Sequence, residues 1–314
     1  QNALFLKQFA GEILATFEEA NVMMPCHTVR TIQSGKSAQF PAVGTATANY
    51  HTPGESIIED QDAGSTNYLS SIKHNELVVT INDLLVSSCF ISNLDEAKNH
   101  YDVRSEYTRQ MAFALSKKAD ETLIRYGLVG ARATADRFGG TTYIQAAVNI
   151  DGAVTGALLL AAIVEAAQQF DEKDVPSNDR FCVLSPANYY KLVNENKDAI
   201  NRDYGNDGNG SLASGVVMSV AGIRLLKSNH FPAADWTPDA GDLGTAAGAY
   251  DFADTTDKNV QALCFHRSGL ATVKLMDLAV ESEYQVERQG TLMAARYAMG
   301  HDILRNEALI EINA

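Results

Sequence analysis

Two thiols stand beside imidazoles in this sequence: Cys26 precedes His27, and Cys264 lies two positions before His266. A thiolate activated by a neighbouring base is the core of covalent hydrolytic chemistry. The spacing argues against it at both places. On a strand, residues i and i+2 share a face with their side chains about 7 Å apart, beyond the roughly 3 Å hydrogen bond that activation needs. Adjacent strand residues face opposite ways. With Cys89 and Cys182 the set shows no finger, ribbon or redox spacing, so all four read as small buried hydrophobes of a reducing cytosol. The histidines, at positions 27, 51, 74, 100, 230, 266 and 301, never recur at the three- or four-residue interval of a helical metal site.

The remaining candidates fail on spacing too. Aligning Asp203 as the first ligand of a calcium loop puts Gly205 at the third place and Ser214 at the twelfth, where ligating side chains are required. Ser34-Gly35-Lys36-Ser37 lacks the preceding glycine of a phosphate loop, and no nucleophile-elbow serine occurs. Acidic runs at Glu55, Glu59, Asp60 and Asp62 and at Asp235–Asp257 suit a solvated face better than a cation or a basic partner. No catalytic constellation, metal site or cofactor site is expected. That favours a structural or interaction protein over the rival reading, an acidic cytosolic thiol hydrolase on Cys264 or Cys182.

Composition bounds the class. With 25 Lys and Arg against 39 Asp and Glu, the formal charge is -14, and no third of the chain is net positive. This argues against an extended basic face for gripping nucleic acid. The 46% hydrophobic content supports a core. The longest apolar run, Ala157–Val164, falls well short of the roughly 20 residues that span a bilayer, so no membrane association is expected. No secretory leader is apparent, and the start at Gln1 suggests that a native N-terminal stretch is missing.

The elements that would carry these residues are mixed α and β. Leu4, Phe5, Phe9, Ile13, Leu14 and Phe17 predict an amphipathic helix over 3–20. Period-two patterning predicts a strand from Thr28, a turn at Ser34–Lys36 and a second strand. Residues 44–75 are irregular and are bracketed by strand character returning at 76–81, like a long hairpin reaching outward. Asn93 and Glu96 resemble a capping box ahead of a helical stripe of Val103, Tyr107, Met111, Leu115, Ala119, Leu123 and Tyr126, with Gly127 as its stop. Helices follow at 158–170 and 186–194, the latter with Ser185 as cap and Pro186 in its first turn. Strands are read at 180–184, 216–223, 260–266, 271–275 and 281–287, before a mixed segment over 293–312.

Several strings are specific enough to indicate a family: Leu4–Phe9, Ser34–Pro41, His100–Thr108, His266–Ser268, Thr272–Leu275 with Asp277–Ala279, and Tyr297–His301. In this order the chain resembles the major capsid proteins of short-tailed, T-seven-like bacteriophages. The resemblance implies an α+β Hong Kong 97 phage-type fold: an N-terminal arm (1–25), an extended-loop hairpin (26–92, tip about 42–76), a peripheral domain with a long spine helix (93–139 and 271–296), and an axial domain (140–270 and 297–314). It implies a virion shell subunit that assembles in the host cytoplasm into pentamers and hexamers with a scaffolding protein, a portal protein and decoration proteins around double-stranded DNA. A tail or decoration subunit is the other virion reading. Glu55, Glu59, Asp60 and Asp62 are expected to dock on a neighbouring subunit, with Arg267, Lys274 and Arg288 as basic counterparts. Some relatives with this fold weld subunits through a loop lysine; no lysine lies between Lys36 and Lys73, so a noncovalent shell is expected.

Overall fold

The computed structural model describes residues 21–43, 74–81, 84–94, 103–133, 147–150, 152–195, 219–231 and 260–314, with scattered positions between 46 and 72 and short strands at 210–211 and 216–217. The helix expected at 3–20, Glu96, the carboxylates Glu55, Glu59, Asp60 and Asp62, most of the Asp203–Ser214 loop and the Asp-rich run at 235–257 lie outside the described residues.

Two sheets organise the chain. The first joins β1 (Thr28–Thr31), β12 (Leu270–Gln285), β13 (Gly290–Ile303) and β4 (Leu85–Ser92) in the spatial order β1-β12-β13-β4. The second has six strands in the order β5 (Ala147–Asn149), β14 (Leu309–Asn313), β11 (Val260–His266), β6 (Arg180–Leu184), β10 (Ile223–Lys227) and β9 (Ser219–Val220). β2 (Ser37–Val43) pairs with β3 (His74–Thr80), and β7 (Gly210–Ser211) with β8 (Val216–Val217). The strand-turn-strand expected near Thr28 is present, but β1 and β2 do not pair with each other: β1 runs parallel to β12.

The six-stranded sheet is covered on both faces, and strand alternation decides which side chain goes where. On β6, Cys182 and Leu184 face α2 (Gly156–Glu172) and α3 (Pro186–Glu195), among Leu159, Ile163, Phe170, Tyr189 and Leu192. Phe181 and Val183 face the opposite way, toward Leu123, Ile124 and Leu128 of α1 (Val103–Arg132). Thr155 Oγ1 caps α2 by accepting from Leu158 N at 3.3 Å, and Ser185 Oγ caps α3 by accepting from Asn188 N at 3.4 Å.

α1 departs from expectation in its reach. It does not stop at Gly127 but continues to Arg132. Gly127 and Gly130 serve close packing instead: a Cβ at 127 would strike Leu263, and one at 130 would strike Leu309. The last turn is tied by Arg132, whose guanidinium grips the buried Glu311 carboxylate of β14 with two hydrogen bonds of 2.6 Å. Three of the seven expected stripe residues lie on the long strands: Met111, Leu115 and Ala119 meet Met293, Val280, Ala295 and Tyr297. Leu123 packs on the six-stranded sheet instead, and Tyr107 is 39% exposed. One helix therefore lies across both sheets.

The strands read as 271–275 and 281–287 form one strand, β12, with register shifts around Met276, and the segment read as mixed is the regular strand β13. Asn93 follows β4 as the first of two described helical residues, 93–94, with Nδ2 donating to the Tyr284 hydroxyl at 3.0 Å; Glu96, its expected capping-box partner, lies outside the described residues.

Candidate subunit interface

The base of the hairpin is described. β2 and β3 pair in register from Ser37–Thr80 to Val43–His74. Ala38, Val79 and Ile81 pack on Ala271, Val273 and Ala298 of the long strands. Gly300 makes that seat possible, because a Cβ there would run into the Thr80 carbonyl. On the other face of this base and at described positions beyond it, large apolar side chains are exposed: Val43 and Val78 on β2 and β3, and Tyr50, Ile57 and Ile72 farther out, Tyr50 completely. On β4, where Leu85 and Ile91 pack toward α1, the alternating Val86 and Phe90 are exposed on the other side. Large apolar side chains left exposed are the kind of surface that contact with another chain covers.

Of the basic residues expected opposite the acidic loop, Arg267 is exposed in the turn before β12, where its carbonyl accepts from Thr28 Oγ1 at 3.2 Å. Lys274 is half-buried on β12, paired with Thr31 of β1 and Met299 of β13. Arg288 is exposed in the turn between β12 and β13. Lys274 and Gln285 are separated by about 36 Å of strand at roughly 3.3 Å per residue. Arg267 and Lys274 thus share one end of the long strands, and Arg288 stands at the other.

At the Arg267–Lys274 end lies a buried polar joint that sequence reasoning missed. Asp120, fully buried on α1, accepts the backbone N–H groups of Val22 at 3.0 Å and Met23 at 3.2 Å, and His230 Nδ1 approaches its Oδ2 at 3.0 Å. Four residues along, His27 Nδ1 donates to the Met23 carbonyl at 2.8 Å, and its Nε2 meets Thr272 Oγ1 at 2.6 Å. Thr272 Oγ1 also meets His301 Nδ1 at 2.8 Å. These contacts pin residues 21–27 to α1, β12 and β13 together. Burial pushes His27 down to about 4, with Lys274 and Arg267 adding to the effect against the Met23 carbonyl. Burial, then the His27 and Lys274 charges, pushes His301 down to about 3. Burial raises Asp120, opposed by the two N–H groups and His230. The available signal was Ser116 with Asp120, polar groups recurring at i and i+4 on the apolar face of the helix.

The thiols are placed otherwise. Cys264 lies directly across the β11–β6 pair from Cys182, both fully buried, and the contact with Cys264 together with burial raises the Cys182 thiol. His266 Nδ1 bonds Ser268 Oγ at 2.8 Å. Burial pushes Cys26 up to about 11. Among the described residues no hydrogen bond joins a thiol to an imidazole. Nor do three His, Cys, Asp or Glu side chains converge there to hold a metal ion, and no helix among them is long and apolar enough to cross a membrane.

Known proteins share this architecture. The family model described as Gp10A-like, major capsid protein, matches residues 39–313. The major capsid protein of Enterobacteria phage T3 is 34% identical, over 98% of this chain and 90% of its own. The capsid structure of the cyanophage P-SCSP1u matches with a TM-score of 0.75 and 39% identity, covering 94% of this chain and 88% of that one. The mature capsid of bacteriophage PhiM1, at 21% identity and a TM-score of 0.69 over 93% of this chain and 86% of its own, shares the fold. With family model and relatives agreeing along nearly its whole length, the chain belongs to the Gp10A-like major capsid proteins and is a shell protein of a phage head.

Proposed function

We propose that the chain builds an icosahedral head from pentamers and hexamers, with a scaffolding protein and a portal protein as assembly partners and decoration proteins as outer additions. Its part is structural, with no catalysis and no cofactor. The observation that carries this reading is the family match joined to the large apolar side chains left exposed on the hairpin strands and on β4, among them Val43, Val78, Val86 and Phe90. A subunit that leaves such apolar side chains open recovers the free energy at interfaces. The charge of -14 suits a container for double-stranded DNA touched only nonspecifically, since like charge repels the packed polyanion and lets it slide.

Within that reading the chain divides into an arm (1–25), an extended hairpin (26–92), a peripheral part (93–139 and 271–296) and an axial part (140–270 and 297–314). Glu55, Glu59, Asp60 and Asp62 at the hairpin tip dock on a neighbour, using Arg267 and Lys274 at one end of its long strands or Arg288 at the other. The exposed apolar positions on the hairpin support this. Electron microscopy of the chain expressed with its scaffolding protein should show closed shells. Persistence as a monodisperse monomer under those conditions would refute the reading.

A further inference from the structure

Two surfaces on the α2–α3 layer are left open, and their chemistry is opposite. Along α2 the core takes Leu159, Ile163, Ala166 and Phe170. The outward side is a shallow groove lined by Ala157, Leu160, Ala161, Val164, Glu165 and Gln168, with Val164 49% exposed and the nearby Leu158 40% exposed. From Gly156 to Glu172 there is no Lys or Arg, while Glu165, Asp171 and Glu172 supply carboxylates. Arg180 holds Asp171 at 2.7 Å, and Lys173, just past the end, is half-buried beside Glu307 and Glu172. Glu165 remains exposed on the groove's rim.

The second surface is a cation fixed on an aromatic ledge. Lys227, at the end of β10, places Nζ 5.1 Å from the Tyr190 ring centre and 5.5 Å from that of Tyr189, and donates to the Tyr190 hydroxyl at 3.2 Å. Tyr190 is 49% exposed, and Lys191 beside it is exposed as well. Aromatic and cationic side chains held in place before contact are the kind that anchor interfaces, because little ordering remains to be done on binding.

We propose that the outer face of α2 receives the Tyr190–Lys227 ledge of a second copy of this chain. The groove offers the Glu165 carboxylate to the ammonium and apolar surface at Ala157, Ala161 and Val164 to the aromatic ring. A contact that joins two different patches of one chain is head-to-tail, the type that closes rings. The proposal rests on the shell reading and names one of the contacts within its capsomers.

Charge reversal in the full chain tests it. Glu165→Lys and Lys227→Glu, each with a wild-type circular dichroism spectrum and melt, should lower the yield of rings and shells by about tenfold, since like charges facing across an interface are strongly disfavoured. The double variant should return to within about twofold of wild type. Carbodiimide treatment of wild-type particles should also join Glu165 or Glu172 of one subunit to Lys227 or Lys191 of the next. Single variants that assemble normally, a double variant no better than the singles, or particles lacking that cross-link would each overturn this contact and leave the shell reading standing. A wild-type chain that forms neither rings nor shells overturns both.

Discussion

A single hydroxyl carries much of the joint under the long strands. His27 Nδ1 must donate to the Met23 carbonyl, so neutral His27 offers a bare Nε2, which takes the only proton of Thr272; the Thr272 oxygen then accepts from His301 Nδ1. One added proton can be met by reversing the direction of that chain, but a second leaves two N–H groups aimed at one oxygen. Both imidazoles are neutral when folded and regain a value of about 6.5 when unfolded. The unfolded chain therefore binds more protons as pH falls, and stability is full above about 6.5 and lost progressively toward about 4, where folded His27 titrates. The loss is on the order of 3 kcal/mol for His27, which is 1% exposed. Asp120, raised by burial, works in the opposite sense and blunts the acid end. Urea midpoints of the dissociated subunit across this range should fall with pH, and His27→Gln should flatten the curve; a flat wild-type curve would refute the argument. Thr272→Val keeps the shape and strands two ring nitrogens, for an expected cost of about 1–3 kcal/mol at neutral pH in the same measurement.

Among the elements, α1 commands the most because it crosses both sheets. Leu115→Pro would remove an interior hydrogen bond and clash with the preceding turn, at a cost of about 3 kcal/mol or more, where Leu115 meets the long strands. Aggregates in place of particles are the expected outcome by electron microscopy, and normal DNA-filled heads from this variant would contradict it. Gly300→Val should lift the hairpin root off β13 by driving a branched side chain into the Thr80 carbonyl. Hydrogen exchange should then quicken in 37–43 and 74–80 while Val260–His266 stays protected; unchanged exchange in the hairpin would remove Gly300 from this role. The sequence exposed the pieces whose signals are local: the apolar run of β6, the Ser185 cap, the hairpin's bracketing strands, and the stripe through Met111 and Leu115. It misled where tertiary contact overrode local grammar. Gly127 looks like a terminator because the Leu263 that needs its missing side chain is 136 positions away. β13 was opaque because Ala294, Ala295, Ala298 and Gly300 give a weak alternation. The joint was hidden because its members come from five separate stretches of chain.

For the assembled particle, the absence of lysine between Lys36 and Lys73 predicts subunits held without covalent welds. Heads boiled in detergent and reductant should release chains of about monomer mass on a gel, and a ladder of linked subunits would refute this. The six-stranded sheet adds a constraint of a different kind, one of timing. β14, at residues 309–313, is not an edge strand: it lies between β5 and β11, and it is the strand that holds β5 in the sheet. Its buried Glu311 also closes the last turn of α1. A ribosome that has delivered residues 1–300 has therefore made every strand of this sheet but the one that joins its parts, and synthesis at roughly 5–20 residues per second leaves the gap open until β14 emerges. Nascent chains crowded on one message, each already carrying the exposed hairpin, cannot yet present a finished body to one another. Translation itself thus sets the moment at which a subunit becomes competent to polymerise.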